Sequence, residues 1–179
     1  MSVNTVAFVA KSNTGKTTLL EKLIRELKQR GYLVGVIKND AHKFDIDHPG
    51  KDSYRLTAAG ADTMLITSSE KLALVKKHEA SPSLEYLVET YFADMDIVLA
   101  EGFKMSTLPK IELHRKDRSP TLICRGENDD PTLVAVASDE PLDLDVPVLD
   151  LNDVNEVADF VEQRFLPCKT DSALKTLEG

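Results

Sequence analysis

The chain has no tryptophan, only 6% aromatic residues and just two cysteines among its 179 residues. So few aromatics leave little surface for stacking bases, which argues against a nucleic-acid partner. Basic residues are also in the minority, 22 against 30 acidic, for a net charge of −8. Such a protein is repelled as a whole by nucleic acid and by anionic membrane, and any anionic ligand must be held by a local basic site. Cys124 and Cys168 have neither metal-ligand spacing nor a redox motif, which fits a reducing, cytoplasmic compartment. No apolar run approaches the roughly 18 residues a membrane span needs, and no charged and apolar leader opens the chain, so neither insertion nor export is expected. What is present is 42% hydrophobic content, enough for one substantial core. The expected organisation is a single domain over residues 1–166 followed by a polar tail, 167–179.

The most informative stretch is Ala10-Lys11-Ser12-Asn13-Thr14-Gly15-Lys16-Thr17-Thr18. Before it, Val6-Ala7-Phe8-Val9 is apolar and β-prone; after it, Leu19, Leu20, Leu23, Ile24 and Leu27 recur at helical spacing until Gly31. A strand running straight into a helix turns a row of backbone N–H groups toward the positive end of the helix dipole, which suits a chain of phosphates. The pattern is that of a phosphate-binding P-loop, with Lys16 reaching the β- and γ-phosphates and the Thr17 hydroxyl ligating Mg²⁺. Ala10 stands where the motif normally has its first glycine.

Tyr32–Lys38 reads as a second buried strand one helix away, which makes a parallel βαβ unit. The polar stretch 39–52 contains Asp40, His42, Asp45, Asp47 and His48 and is long for a structureless connection. A short helix is expected over Ser53–Ala59 and a hairpin from Thr63–Thr67 and Leu72–Val75. A helix is expected to open at Ser81-Pro82, with serine as its cap. Strands are expected at Ile97–Ala100, Lys110–His114, Thr121–Cys124, Thr132–Ala137 and Val146–Leu149. A last helix is capped by Asn152 or Asp153 and has Val154, Val157, Ala158, Val161 and Phe165 on one face. This alternation predicts an α/β fold of the P-loop NTPase kind: a three-layer, open, mostly parallel sheet with an antiparallel extension.

Phosphate sites of this type use a further carboxylate near the γ-phosphate, at the end of a neighbouring buried strand. Glu101 follows Ile97-Val98-Leu99-Ala100 and precedes Gly102, so it belongs at that edge; the plainer reading is a solvated residue opening a loop. Asp96, at the other end of the strand, is a turn or cap. Asp40 ends the second strand at the ligand edge and is the candidate for positioning an attacking water, against the alternative of an ordinary turn former. Asp139 ends the strand that begins at Leu133; a carboxylate there accepts the ring N–H and exocyclic amine of guanine, although no N-K-x-D motif is present and a turn before Pro141 is the alternative. Lys104, Lys110, Arg115, Lys116 and Arg118 form either a local basic site or a solvated face.

Four segments together resemble the molybdopterin-guanine dinucleotide biosynthesis protein B (MobB) family. They are the P-loop with its double threonine, residues 36–53 from Val36-Ile37-Lys38-Asn39-Asp40 to Lys51-Asp52-Ser53, Glu101-Gly102-Phe103-Lys104, and Pro109–Arg115. Departures from the family pattern are Ala10, Asn39 and Lys43. The resemblance implies a GTP-binding homodimer with weak hydrolysis that assists a MobA-like guanylyltransferase in attaching GMP to molybdopterin; contact with molybdopterin itself stays open. On that reading Ser12, Asn13, Thr14, Gly15, Lys16, Thr17 and Thr18 hold the phosphates, Asp139 meets the base, Thr17, Glu101 and Asp40 hold Mg²⁺, and Lys16, Asp40 and Glu101 act in slow hydrolysis. Two other classes share the loop: a small-molecule kinase with Arg115–Arg118 as a lid, and a non-catalytic adaptor with nucleotide as a structural ligand. A third rival, metal insertion, draws on His42 and His48.

Overall fold

The structure is a computed structural model that describes residues 3–40 and 44–167. It divides into two compact units, a larger one over residues 1–39 and 88–179 and a smaller one over residues 40–87.

The larger unit is built on six parallel strands in the order β2-β5-β1-β6-β7-β8. They are β1 (Asn4–Ala10), β2 (Val34–Lys38), β5 (Ile97–Glu101), β6 (Lys110–His114), β7 (Leu133–Ser138) and β8 (Val148–Asp150); β3 (Thr63–Thr67) and β4 (Leu72–Lys76) form a separate antiparallel pair in the smaller unit. Central β1 and β5 are almost continuously buried, as strands covered on both faces must be. On one face α1 (Lys16–Gln29) and α4 (Val154–Phe165) cover Val6, Phe8, Leu99, Ile111 and Ala135 with Leu20, Leu23, Leu27, Val157 and Val161. Arg30, just past α1, clasps the two helices together by donating to Glu26, Asp159 and Glu162 at 2.8, 2.6 and 2.7 Å. Asp153 caps α4 through the N–H groups of Asn155 and Glu156, one of the two expected candidates. On the opposite face Val9, Leu133 and Val136 pack against coil: Leu122, Cys124, Leu142, Leu144 and Val146. Asp96 accepts from the Leu33 N–H at 2.7 Å, the expected capping role.

In the smaller unit, α2 (Asp52–Ala58) precedes the β3–β4 hairpin, whose register runs from Thr63↔Lys76 to Thr67↔Leu72. Helix α3 (Leu84–Tyr91) crosses the boundary between the units.

Two expected elements differ. The helix signal Ser81-Pro82 lies ahead of α3, and it is the Ser83 hydroxyl that accepts from the Tyr86 N–H at 3.2 Å. Thr121–Cys124 is not a strand. The N–H groups of Ile123 and Cys124 go instead to the two carboxylate oxygens of Glu112, at 2.6 and 2.8 Å, so a side chain takes the place of a ladder partner. Glu112 is 1% exposed, and the alternation Lys-Ile-Glu-Leu-His hides a polar face that is buried and internally paired.

Candidate functional site

The residues that matter are placed by the carboxyl edge of the parallel sheet, where ligands bind in open α/β folds. Ala10 is the last residue of β1, 3% exposed and paired in register with Leu113. It is extended strand, so the slot needs no glycine. The sharp conformations fall further along the loop, at Asn13 (φ 63) and Gly15 (φ 92). Asparagine tolerates the left-handed region, and Asn13 is the one non-glycine residue there among the described residues. Gly15 is the N-cap of α1; no side chain caps this helix and no acidic residue occupies its first turn. The N–H groups of Lys16, Thr17 and Thr18 precede the first intrahelical donor, Leu19, which bonds to the Gly15 carbonyl at 3.0 Å. The loop is held from within by the buried Thr14 hydroxyl, which donates to the Lys11 carbonyl at 2.8 Å. Ser12, Asn13, Thr17 and Thr18 are exposed.

Glu101 ends β5, beside β1, and its carboxylate meets the Lys16 ammonium at 3.3 Å with both side chains largely covered, 20% and 13% exposed. Two of the three residues expected to converge, Lys16 and Glu101, are thus together. Gly102 follows with φ 88, and a Cβ there would meet the Asn39 carbonyl at 3.0 Å, so glycine lets the end of β5 pass close to the end of β2. Asp40 begins the smaller unit. His42 and Lys43 lie outside the described residues, and no group of three or more His, Cys, Asp or Glu able to hold a metal occurs among the described residues.

On the other flank of β1, Arg115 follows β6. It donates from Nε to the Thr14 carbonyl at 3.3 Å and from Nη1 to Asp139 at 3.3 Å. The other Asp139 oxygen accepts from the Lys116 N–H at 2.9 Å. Asp139 lies in a cleft of about 330 Å³ lined also by Ser138, Pro141, Leu149, Asp150 and Asn152, between the loops that follow β7 and β8. Two lone pairs of its carboxylate are in use, and capacity for further donors remains.

The basic cluster read from sequence does not form one surface. Lys110 is 1% exposed and donates to the Thr132 hydroxyl at 2.6 Å and pairs with Asp130 at 3.0 Å. Burial works against ionisation of Asp130, but the Thr132 hydroxyl and N–H and the Lys110 ammonium hold its carboxyl below the usual range. Lys116 pairs with Glu140, and Arg115 with Asp139. Lys11, at the loop itself, bonds the Thr121 hydroxyl at 2.8 Å and Glu127 at 2.7 Å, tying residues 121–127 to the phosphate-binding motif. None of these tethers was anticipated; the signal available was a basic residue directly following a strand at the ligand edge.

A family model described as molybdopterin guanine dinucleotide synthesis protein B, MobB, matches residues 5–139. The chain belongs to the MobB family. It is 44% identical over 162 residues to the molybdopterin-guanine dinucleotide biosynthesis adapter protein of Escherichia coli, covering 87% of this chain and 90% of that one. It is 40% identical over 152 residues to the adapter protein of Haemophilus influenzae, covering 84% and 83%. The fold is likewise that of MobB crystal structures: one superposes with a TM-score of 0.72 at 26% identity over 89% of this chain and 98% of that one, and Bacillus subtilis MobB with 0.71 at 27% identity over 92% and 98%. The MobB sheet is a P-loop NTPase sheet, as expected. The MobB chain therefore has the role of an adapter in molybdopterin-guanine dinucleotide biosynthesis. No helix among its described residues is long and apolar enough to cross a membrane.

Proposed function

We propose that the protein binds Mg²⁺·GTP at the loop between β1 and α1, hydrolyses it slowly, and in that state assists a MobA-like guanylyltransferase that attaches GMP to molybdopterin. The observation that carries this reading is the Lys16–Glu101 pair at 3.3 Å, beside an uncapped helix start. Cation, carboxylate and free backbone N–H groups at one sheet edge suit a triphosphate and its metal. The donor set fits Mg²⁺, a hard ion that takes few protein ligands and completes its shell with phosphates and water: the exposed Thr17 hydroxyl and the Glu101 carboxylate would hold it. When bound, it neutralises charge on the phosphates. Lys16 would then leave Glu101 for the β- and γ-phosphates, with Asp40, from the loop after β2, as the water-orienting carboxylate. Asp139, in its cleft, is the proposed reader of guanine.

Adding the protein with GTP to a MobA-like guanylyltransferase is expected to raise the yield of molybdopterin guanine dinucleotide several-fold; an unchanged yield would contradict the assisting role. The expected site is the cytoplasm.

The same reading makes the protein a homodimer. The smaller unit supports it, because α2 contains no buried residue, while Leu65, Ile66 and Leu72 of the hairpin are 54%, 55% and 66% exposed. Leu65 and Leu72 lie on one face of this two-stranded sheet and Ile66 on the other; a hairpin with apolar side chains open on both faces is marginal in water, and a second copy is the occupant we assign to it. Sedimentation equilibrium at micromolar concentration should return twice the chain mass; a monomer would overturn the assignment.

A further inference from the structure

We propose that Arg115 is a nucleotide-binding residue that grips the bound nucleotide on the side away from the γ-phosphate. This deepens, and rests on, the nucleotide reading above.

The order of elements along the ligand edge carries the argument. Strand β5, with Glu101, flanks β1 on one side; β6, followed by Arg115, flanks it on the other, and β7 and β8 lie beyond. Lys16 leans toward Glu101, which marks the γ-phosphate and metal end. The cleft lined by Asp139 lies at the opposite end, between the loops that follow β7 and β8. A nucleotide extended from one to the other passes over Gly15 and then over Arg115. The guanidinium is in place for it, since a Cβ built on Gly15 would lie 3.9 Å from Arg115 Nη2.

The hydrogen-bond inventory agrees. A guanidinium has five N–H donors. Among the described residues Arg115 uses one from Nε, on the Thr14 carbonyl, and one from Nη1, on Asp139. Three remain, in a side chain that is 35% exposed at the mouth of the loop. The two bonds that are made fix the plane of the fork, so little rotamer freedom is lost when the remaining donors meet an anion. In a protein of net charge −8, a cation held this way is a specific device rather than part of a basic field.

The test is calorimetric titration of Mg²⁺·GTP and of GDP against the wild type, Arg115→Lys, Arg115→Gln and Arg115→Ala, with thermal melting of each apo protein. One charge-assisted contact is worth roughly a 10- to 100-fold loss of affinity. We expect that loss in Arg115→Ala for GDP and GTP by the same factor, with apo melting within a few degrees of wild type. Arg115→Gln, which can still donate to the Thr14 carbonyl, should lose nearly as much, and Arg115→Lys should recover part. Wild-type affinities in the alanine and glutamine variants overturn the assignment and leave nucleotide binding standing. A loss confined to GTP also overturns it, by placing the guanidinium at the γ-phosphate. A wild type that binds neither nucleotide overturns the underlying reading and this assignment together.

Discussion

Lys16→Ala should lose on the order of 100-fold or more in affinity for Mg²⁺·GTP while the protein stays folded. In the nucleotide-bound state we propose, the Lys16 ammonium would meet the terminal phosphates, and each charge-assisted bond it would make is worth roughly 1.5–3 kcal/mol. Its contribution to the fold is small by comparison. The pair with Glu101 spans 3.3 Å at a partly solvated edge, so its loss should cost about 1 kcal/mol. The loop keeps its own supports: Thr14 on the Lys11 carbonyl, Arg115 on the Thr14 carbonyl, and Lys11 on Thr121 and Glu127. Calorimetric titration beside a thermal melt separates the two effects. Unchanged GTP affinity in the variant would remove the loop from the site.

Glu112→Ala should be the most damaging single change away from that loop, costing roughly 2–5 kcal/mol of stability. Its two oxygens are the acceptors for two backbone N–H groups at 2.6 and 2.8 Å, and truncation leaves both donors without these acceptors, that of Cys124 buried and that of Ile123 partly buried. Residues 121–127 should then loosen, and with them the Thr121 and Glu127 ties to Lys11. Cys124 gives a local readout. Burial, and then the negative charge of Glu112, push its thiol up to about 12, so native Cys124 is expected to stay a protonated thiol and to resist alkylation. In Glu112→Ala, modification of Cys124 at pH 8, followed peptide by peptide in a mass spectrometer, should accelerate at least tenfold, in step with a lower melting temperature. Glu112→Gln, which keeps one acceptor, should fall between. Native melting and native protection in the alanine variant would mean that residues 121–127 are held by something other than this carboxylate.

The sheet edge was legible because its signals are local. Strong apolar runs at Val6–Ala10 and Ile97–Ala100, closed by Lys11 and by Glu101-Gly102, announce buried strands and the end at which chemistry sits. Glu101 and Lys16 meet because both strands are parallel and adjacent, as a P-loop sheet requires. Lys110, read as part of a basic site or a solvated face, misled for the opposite reason, and Glu112 beside it drew no reading. Charged residues on alternating positions normally mark a solvated face, whereas here each has a partner distant in sequence, Asp130 and the Ile123 and Cys124 amides. Long-range compensation of this kind leaves no trace in periodicity. Thr121–Cys124 has the composition of a strand, yet its amides are spent on a side chain, and Arg115 reaches Thr14 across a separation that no local pattern encodes.

The most direct test of the central claim is competition between GTP and ATP for the wild-type protein in the presence of Mg²⁺. The account predicts saturable binding with GTP preferred by roughly tenfold or more, since a carboxylate accepts from guanine's N–H and amine in a way adenine cannot match. Equal affinity, a preference for ATP, or no binding of either would contradict it.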